Sequence, residues 1–226
     1  MIELVNVRKV FNTAKPNECV AIHGVSLLID FEKTTIFRGP SGSGKTTLLS
    51  MIGCLARPTS GRIRLHGQEI TSLPERFLTG IRQKTFGFMF QQFNLIKGLT
   101  ALENVMLPAY PSGEKHSSLK QRAMDLLNTF KLSQKAHTNV EWLSGGEAQR
   151  VAICRALINN PSVIMADEPT ANLDTKLSQE FMEIMGRLKE EGKMILIASH
   201  DPLVYESGLI DRIIDLRDGR IDGSGS

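Results

Sequence analysis

The glycine-rich run at positions 39–46 constrains the fold of this chain more than any other segment, and it reads Gly-Pro-Ser-Gly-Ser-Gly-Lys-Thr. A short β-branched run at 35–38 precedes it, and an apolar segment with helical spacing begins near Lys45. Glycines let the backbone curl until successive N–H groups point inward, and a helix starting there adds the positive end of its dipole. A strand, a phosphate-binding loop and a helix in this order predict an α/β fold.

Every residue of this phosphate loop (39–46) is a candidate nucleotide contact. Lys45 is expected to reach the β- and γ-phosphates, and the Thr46 hydroxyl is a suitable ligand for Mg²⁺, which prefers oxygen. A Gly/Ser turn that matches by chance is the alternative, and the flanking strand and helix disfavour it. The predicted nucleotide-binding residues here are Gly39, Pro40, Ser41, Gly42, Ser43, Gly44, Lys45, Thr46 and Thr47.

Two adjacent carboxylates, Asp167 and Glu168, end the apolar run at 162–166 and are followed by Pro169. Open α/β sheets bind their ligands at the carboxyl ends of the strands. We therefore expect Asp167 to bind Mg²⁺, directly or through water, and Glu168 to polarise an attacking water. Solvated loop carboxylates are the alternative. Together with the phosphate loop, the pair predicts a nucleotide hydrolase.

Alternating strand and helix patterns extend along the 226 residues, enough for one domain. Predicted strands lie at 2–7, 20–29, 35–38, 62–66, 85–90, 162–166, 194–198 and 213–216. Predicted helices lie at 45–55, 73–84, 118–130, 146–159 and 175–191. The pattern predicts a domain over 1–222 with a mainly parallel sheet and an inserted helical subdomain at about 92–159; the Gly-Ser run at 223–226 is typical of a linker.

Composition narrows the classes of partner. The formal charge of +3 is too small to favour nucleic acid, so we expect none as a partner. No stretch approaches the roughly 20 apolar residues that span a bilayer, and the first ten residues lack a signal-peptide core, which predicts a soluble chain. Cys19, Cys54 and Cys154 lie in apolar stretches without C-x-x-C spacing, which favours buried reduced thiols over a metal site or disulfides.

The run at 143–150, Leu-Ser-Gly-Gly-Glu-Ala-Gln-Arg, is a small turn opening a helix and thus a second anion-binding helix N-terminus. In this company it resembles the LSGGQ signature of the ABC ATPase family, and the resemblance spans nearly the whole chain. It implies a P-loop NTPase core with an antiparallel β edge region, and ATP and Mg²⁺ as ligands. It also implies a head-to-tail dimer in which Ser144, Gly145, Gly146 and Glu147 close over the γ-phosphate held by the other copy.

The same resemblance assigns roles to four further residues. Phe11 matches the aromatic residue that stacks on adenine, although a Phe in an apolar segment also fits a core position. Gln91 matches the loop glutamine that touches Mg²⁺ and the attacking water. His200 matches the switch histidine at the γ-phosphate, and Asp174 ends a loop, 171–174, that crosses the dimer interface.

The signature motif resembles that of the subgroup of lipoprotein-release and macrolide-export ATPases, because Glu147 stands where the family usually has glutamine. This implies a separate transmembrane permease as partner, with the ATPase peripheral on the cytoplasmic face of the inner membrane. A regulatory motor of the cell-division type stays open, as does a soluble ABC ATPase. The family usually has a Gly-Glu turn where this chain has Asp30–Lys33, and a small or apolar residue in place of Arg38.

An apolar segment after Gln91 is the expected docking site for that permease. In a loop and first helical turn, such side chains favour a groove for a partner's short helix, and packing inside the helical subdomain is the alternative. The segment comprises Phe93, Leu95, Ile96, Leu99 and Leu102.

Overall fold

The computed structural model describes residues 1–171 and 173–222; the predicted linker at 223–226 lies outside them. Within these ranges, the strands are β1 (Ile2–Phe11), β2 (Cys19–Ile29), β3 (Thr34–Arg38), β4 (Ser60–Leu65), β5 (Gln68–Glu69), β6 (Phe86–Met89), β7 (Val163–Asp167), β8 (Met194–Ser199), β9 (Arg212–Arg217) and β10 (Arg220–Ile221). The helices are α1 (Lys45–Ile52), α2 (Glu75–Thr85), α3 (Ala101–Met106), α4 (His116–Thr129), α5 (Gly145–Leu157), α6 (Thr175–Glu190) and α7 (Pro202–Tyr205). Short 3₁₀ helices lie at Leu107–Ser112, Ser133–Lys135 and Val140–Trp142.

The strands form two sheets of different character. Six strands are ordered β10-β9-β3-β8-β7-β6, and every neighbouring pair is parallel except β10 with β9. Four strands form an antiparallel sheet ordered β2-β1-β4-β5. The predicted α/β fold, with a mainly parallel sheet and an antiparallel β edge region, is confirmed.

The central strands β3, β7 and β8 are buried along almost their whole length. Strands β7 and β8 are mainly apolar, and Thr34 and Thr35 of β3 are buried as well, because helices cover both faces of a parallel sheet. Alternate side chains serve opposite faces: Phe37 packs with α1, whereas Ile36 packs with α5 and α6. Since these strands are parallel, their carboxyl ends meet at one edge, which brings together the segments that begin at Gly39, Glu168 and His200.

Two apolar cores lie on the two faces of the parallel sheet, and helices α3, α4 and α5 form a third. Helix α5 belongs to two cores, because Val151 and Cys154 face α3 and α4 while Ile153 and Leu157 face the sheet. It therefore joins the helical layer to the parallel sheet, as do Leu126 of α4 and Phe130, which pack against both cores. In the described part of the chain, no helix combines the length and apolarity needed to cross a membrane.

The cysteines differ from expectation at one position. Cys54 and Cys154 are buried, and burial raises the pKa of both thiols, that of Cys54 to about 11. Cys19 is exposed. The expectation of burial was wrong there because Cys19 begins the edge strand β2, opposite Phe11.

Candidate functional site: a phosphate-binding cleft

A cleft of about 420 Å³ opens at the carboxyl edge of the parallel sheet, beside the phosphate loop. It brings together residues from the phosphate loop, the segment after β6 and the ends of β7 and β8. The predicted site residues that line it are Ser41, Gly42, Gly44, Lys45, Thr46, Thr47, Gln91, Glu168 and His200.

Gly44 is required by the geometry of the phosphate loop. Its φ of 101° is in the left-handed region, and it is the N-cap of α1. A Cβ there would lie 2.7 Å from the carbonyl oxygen of Ala21 on β2. A larger residue would therefore strain the backbone and push the loop away from β2.

Lys45, the first residue of α1, is almost fully buried. Its Nζ donates to the carbonyl oxygens of Gly39, at 2.7 Å, and Pro40, at 3.0 Å. The same Nζ lies 3.3 Å from Oε1 of Glu168. The phosphate loop thus folds around its own ammonium group, which is the charge that a phosphate would need.

The Glu168 carboxylate lies in the cleft between the Lys45 ammonium and the His200 imidazole. Its Oε1 lies 2.9 Å from Nδ1 of His200, and its side chain is 12% exposed against 61% for the histidine. Its backbone φ is +45°, in the left-handed region, and its N–H donates to the carbonyl oxygen of Ala198 at 2.8 Å. A non-glycine residue held in this conformation stores strain, and such strain clusters at functional sites.

Asp167 contacts the phosphate loop from the end of β7. The Thr46 hydroxyl donates to its Oδ1 at 2.8 Å. Burial raises the pKa of Asp167, and the neighbouring Glu168 charge adds to this, while the Thr46 hydrogen bond opposes it. Two hard oxygen donors at hydrogen-bond distance, beside the loop that cradles phosphate, are a donor set that fits Mg²⁺.

The signature turn (144–146) forms a capping box at the start of α5. Ser144 Oγ accepts from the N–H of Glu147 at 3.3 Å, and Glu147 Oε2 accepts from the N–H of Ser144 at 2.8 Å. That N–H is the main reason why the pKa of Glu147 is lowered. None of the four residues 144–147 belongs to the described lining of the cleft. Within one chain, the structure does not bring the signature turn to the phosphate loop.

Phe11 and Asp174 also lie outside the lining. Phe11 is 43% exposed at the end of β1, with Lys9 Nζ 5.1 Å from its ring centroid, so it is not a core residue. It pairs with Cys19, which does line the cleft. Asp174 Oδ1 accepts from the N–H of Leu177 at 2.9 Å and caps α6. Asn172, inside the predicted interface loop, lies outside the described residues.

Thr170 and Asp201, which the sequence did not single out, connect the two segments that contain Glu168 and His200. The Thr170 hydroxyl donates to Oδ2 of Asp201 at 2.7 Å, which ties the segment after β7 to the segment after β8. Asp201 also caps α7, accepting from the N–H of Leu203 at 3.0 Å. An Asp followed by Pro is an N-terminal helix signal that could have identified it.

Arg155 on α5 was likewise missed. Its guanidinium donates to the carbonyl oxygens of Phe93 and Asn94, which have φ values of 57° and 49°. Burial lowers the pKa of Arg155. One arginine therefore fixes a left-handed turn at 93–94, two residues beyond Gln91.

The apolar segment after Gln91 divides between core and surface. Leu102 is buried and Leu95 packs against the helical core, whereas Ile96 is 50% exposed. A separate groove of about 320 Å³ lies between α2, β6 and the 3₁₀ helix at Leu107–Ser112. Its apolar lining includes Leu55, Phe88, Phe90, Pro108 and Pro111.

Comparison with known proteins shows which family this chain resembles. The family described as ABC transporter matches residues 22–171. An uncharacterized ABC transporter ATP-binding protein of Thermotoga maritima is 43% identical over 223 residues, covering 99% of this chain and 94% of that protein. The macrolide export ATP-binding/permease protein MacB of Hyphomonas neptunium is 39% identical over 221 residues; 98% of this chain matches only 34% of that protein.

A solved structure gives the same picture. It is the dimeric structure of a post-hydrolysis state of the ATP-binding cassette MJ0796 bound to ADP and Pi. It has a TM-score of 0.89 and 39% sequence identity, and covers 98% of this chain and 97% of that one.

A phosphate loop between a parallel strand and a helix, with two carboxylates at the end of a nearby strand, defines a P-loop nucleotide hydrolase. The chain belongs to the ABC transporter family. It is an ATP-binding protein and an ATPase of the ABC type, so both predictions are confirmed.

Proposed function

We propose that this chain is the motor subunit of an ABC transporter, in which two copies sandwich two MgATP and drive a separate permease. The observation that carries the chemistry is the Glu168 carboxylate, which lies between the Lys45 ammonium and the His200 imidazole. A group that accepts a proton from water must stand within hydrogen-bond reach of it, beside the reacting phosphate. The position of the Glu168 carboxylate, 3.3 Å from the Lys45 ammonium that would hold the γ-phosphate, supports this role.

The steps assigned to this chain are binding, orientation and proton transfer. The phosphate-loop N–H groups and Lys45 hold the β- and γ-phosphates, and Phe11 stacks on the adenine. Glu168 accepts the proton of the attacking water, while Gln91 and His200 orient that water and the γ-phosphate. Thr46 and Asp167, with Gln91, would hold the Mg²⁺, which neutralises charge that develops on the phosphate oxygens.

The pairing of two copies is supported by the position of the signature turn. Residues 144–147 form the N-terminus of α5 and do not line the cleft of their own chain. We propose that they close over the γ-phosphate in the second copy, with Asp174 at the same interface. The dimeric state of the similar cassette MJ0796 supports this arrangement.

The apolar groove between α2, β6 and the 3₁₀ helix at Leu107–Ser112 is not lined by the segment predicted to dock the permease, which comprises Phe93, Leu95, Ile96, Leu99 and Leu102. The coupling that we propose rests on this groove instead. We propose that a short helix of the permease docks there, with the chain peripheral at the cytoplasmic face of the membrane, and that the subunit serves export. The name of the MacB relative, which combines ATP-binding and permease parts, supports such a partner.

Glu168→Gln tests the chemistry. Turnover should fall by about 10² to 10⁴, the usual cost of losing a general base. Nucleotide binding should persist or tighten, since the substitution removes a carboxylate that competes with phosphate for Lys45. Phosphate release and equilibrium MgATP binding measure the two effects, with Glu183→Gln on the exposed side of α6 as the matched control. Turnover near the parental rate would refute Glu168 as the base.

Mixing two inactive variants tests the pairing. Lys45→Ala removes the phosphate-loop charge. Gly145→Arg adds a bulky side chain to the signature turn at a position where a Cβ meets no described atom within 4 Å, and thermal melting checks that the monomer stays folded. A mixed dimer keeps one complete site, so activity should partly return on mixing. If mixed dimers form with MgATP but no ATPase activity returns, the proposal that each site is completed by the other copy and works independently would be contradicted.

A further inference from the structure

A polar pocket of about 240 Å³ lies on the antiparallel sheet, beside the nucleotide cleft. It is called the basic pocket here, and its lining consists of Asn6, Arg8, His23, Gly24, Ser60 and Arg220. The described lining has two guanidinium groups and one imidazole but no carboxylate. Asp218 and Asp222, the acidic residues nearest to Arg220 in the sequence, are not part of it.

Strand pairing brings the basic side chains together. Arg8 on β1 lies directly opposite His23 on β2 and Ser60 on β4. Residues directly opposite in an antiparallel pair share one face, with Cβ atoms about 4.5–5.5 Å apart. Arg220 joins this group from β10, because the N–H of His23 donates to the carbonyl oxygen of the preceding Gly219 at 2.9 Å. Four strands therefore contribute to the pocket.

The basic side chains of this pocket lack partners, unlike other arginines of the same sheet. Within the part of the chain that the structure describes, the side chains of Arg8, His23 and Arg220 form no hydrogen bond or ion pair. Arg62 and Arg64 of β4, by contrast, pair with glutamates of neighbouring strands. Guanidinium groups are always charged and repel each other unless an anion lies between them. Their fork of N–H donors fits phosphate oxygens.

The backbone is irregular at this pocket and opens the sheet there. Asn6 and Gly24 have φ values of 53° and 79°, and the pairing of β1 with β2 shifts register on both sides of Val7. Gly61, next to Ser60, has a φ of 89°, and a Cβ there would collide with the carbonyl oxygen of Asn6. Such bulges redirect side chains and are common beside functional sites.

The turn at 218–219 connects the basic pocket to the phosphate loop. The N–H of Gly219 donates to the carbonyl oxygen of Ser43 at 3.0 Å, while its own carbonyl oxygen accepts from His23. His23 lines both the basic pocket and the nucleotide cleft. A ligand that holds Arg220 and His23 therefore acts on a turn that is hydrogen-bonded to the phosphate loop.

We propose that the basic pocket binds a small anion with a phosphate group, and that this anion slows nucleotide release. Arg8 and Arg220 hold the phosphate oxygens, and His23 and Ser60 supply further donors. The bound anion fixes the turn at 218–219 against the phosphate loop. The site is separate from that of the ATP phosphates, because no phosphate-loop residue lines it. Free pyrophosphate and the phosphate of a lipid headgroup share this chemistry.

Pyrophosphate tests the site in the full-length chain, with the nucleotide cleft filled by excess ADP and free Mg²⁺ held constant. Calorimetry should show saturable binding with one site per chain. Arg8→Gln and Arg220→Gln should each weaken it about tenfold or more, because each removes a charged hydrogen-bond donor. Arg187→Gln, the same change at an exposed arginine of α6, is the matched control and should bind within about twofold of the parent.

Vesicles with and without phosphatidic acid distinguish the two sources of phosphate. Binding of the parent to phosphatidic acid vesicles alone, lost in Arg8→Gln and Arg220→Gln, would assign the pocket to a lipid headgroup. No saturable binding of either probe, or equal binding by the parent and both variants, would overturn the proposed site. Thermal melting checks that the variants are folded.

Release of fluorescent ADP tests the link to the phosphate loop. After a chase with excess unlabelled ADP, the release rate does not depend on what enters the emptied cleft, so competition there has no effect. The anion that binds, pyrophosphate or phosphatidic acid vesicles, should slow release about threefold or more in the parent and leave the rate in Arg220→Gln unchanged. Equal rates with and without that anion, in a parent chain shown to bind it, would refute the effect on nucleotide release.

Discussion

Replacing Arg155 with alanine tests how the turn after Gln91 is held. The guanidinium donates to two carbonyl oxygens, at Phe93 and Asn94, in a turn where both residues have positive φ. A hydrogen bond to a charged group contributes about 1.5–3 kcal/mol, but these carbonyls are near enough to the surface for water to replace part of the loss. We expect Arg155→Ala to lower the free energy of unfolding by about 2–4 kcal/mol.

Thermal melting measures this loss. For a chain of this size, about 1 kcal/mol corresponds to 2–4 °C, so the melting temperature should fall by roughly 5–15 °C. Arg155→Lys should be intermediate, because an ammonium keeps the charge but lacks the two-pronged fork. Arg187→Ala, at an exposed arginine of α6, is the matched control and should melt within about 1–2 °C of the parent, as surface substitutions usually do.

A functional measurement separates positioning from general stability. Assayed well below its melting temperature, Arg155→Ala should keep its affinity for nucleotide and lose turnover, because the phosphate loop is unchanged while the turn beyond Gln91, a residue that lines the cleft, is no longer held. Melting within 1–2 °C of the parent, or full turnover in a destabilised variant, would refute the reasoning.

Three further outcomes are expected. Gly44→Ala should destabilise the chain by more than about 1 kcal/mol in thermal melts, because its Cβ would meet the Ala21 carbonyl at a φ of 101°. Gly42→Ala should cost less, because Gly42 also has a positive φ, of 80°, but a Cβ there meets no described atom. The Arg38 guanidinium donates to Asp215 and holds the pKa of that carboxyl below its ordinary value. The stability that this pair adds is therefore present above the ordinary aspartate pKa and disappears as pH falls through the lowered pKa of the folded state, so the difference in melting between parent and Asp215→Asn should vanish at that acidic pH. Thr46→Val should reduce the gain in ATP affinity that Mg²⁺ provides at least tenfold, because it removes the hydroxyl ligand, and Thr46→Ser should restore this gain. Titrations of ATP binding with and without EDTA measure it.

The side of the cleft formed by the phosphate loop and Glu168 was predictable, because these residues occur in short local motifs. The rest of the lining, from β2 (Cys19, Val20, Ala21 and His23) and from Asp218 and Gly219, was not predicted. A glycine-rich loop directly after a strand identifies a phosphate-binding group, and two carboxylates directly after a buried strand identify acidic groups. In both cases the position after a strand also predicts that the group lies at the edge of the sheet. Capping boxes are equally local, and Ser144 with Glu147 follows that pattern. These features depend on neighbours within a few residues.

Strand β1 shows why boundaries were harder. The prediction stopped at Val7, whereas the strand continues to Phe11. Its pairing with β2 has register shifts between Leu4 and Val7, and again up to Val10, and such bulges break the period-two alternation that marks a strand. The two-residue strands β5 and β10 are too short to show any period at all.

Contacts between distant segments could not be read from the chain. Arg38 looked like a departure from the family pattern, yet its guanidinium binds Asp215, 177 residues away, through two hydrogen bonds of 2.6 and 2.8 Å. The parallel pairing of β3 with β9 puts these residues side by side. The charge is therefore matched across the sheet, and only the strand order, which sequence periodicity does not contain, reveals it.

Helix α5 links the proposed interface to the cleft through its own packing. Its first turn presents the open face at Gly145, its middle packs on the sheet through Ile153, and Arg155 holds the turn beyond Gln91. A packed helix moves as a unit, so a second copy docked at the signature turn and a nucleotide contacted by Gln91, as we propose, would both act on α5. Coupling of this kind requires differential contacts at both ends, and Arg155 is the contact at the cleft end. Weakening it should therefore leave MgATP-dependent pairing in place while uncoupling pairing from turnover.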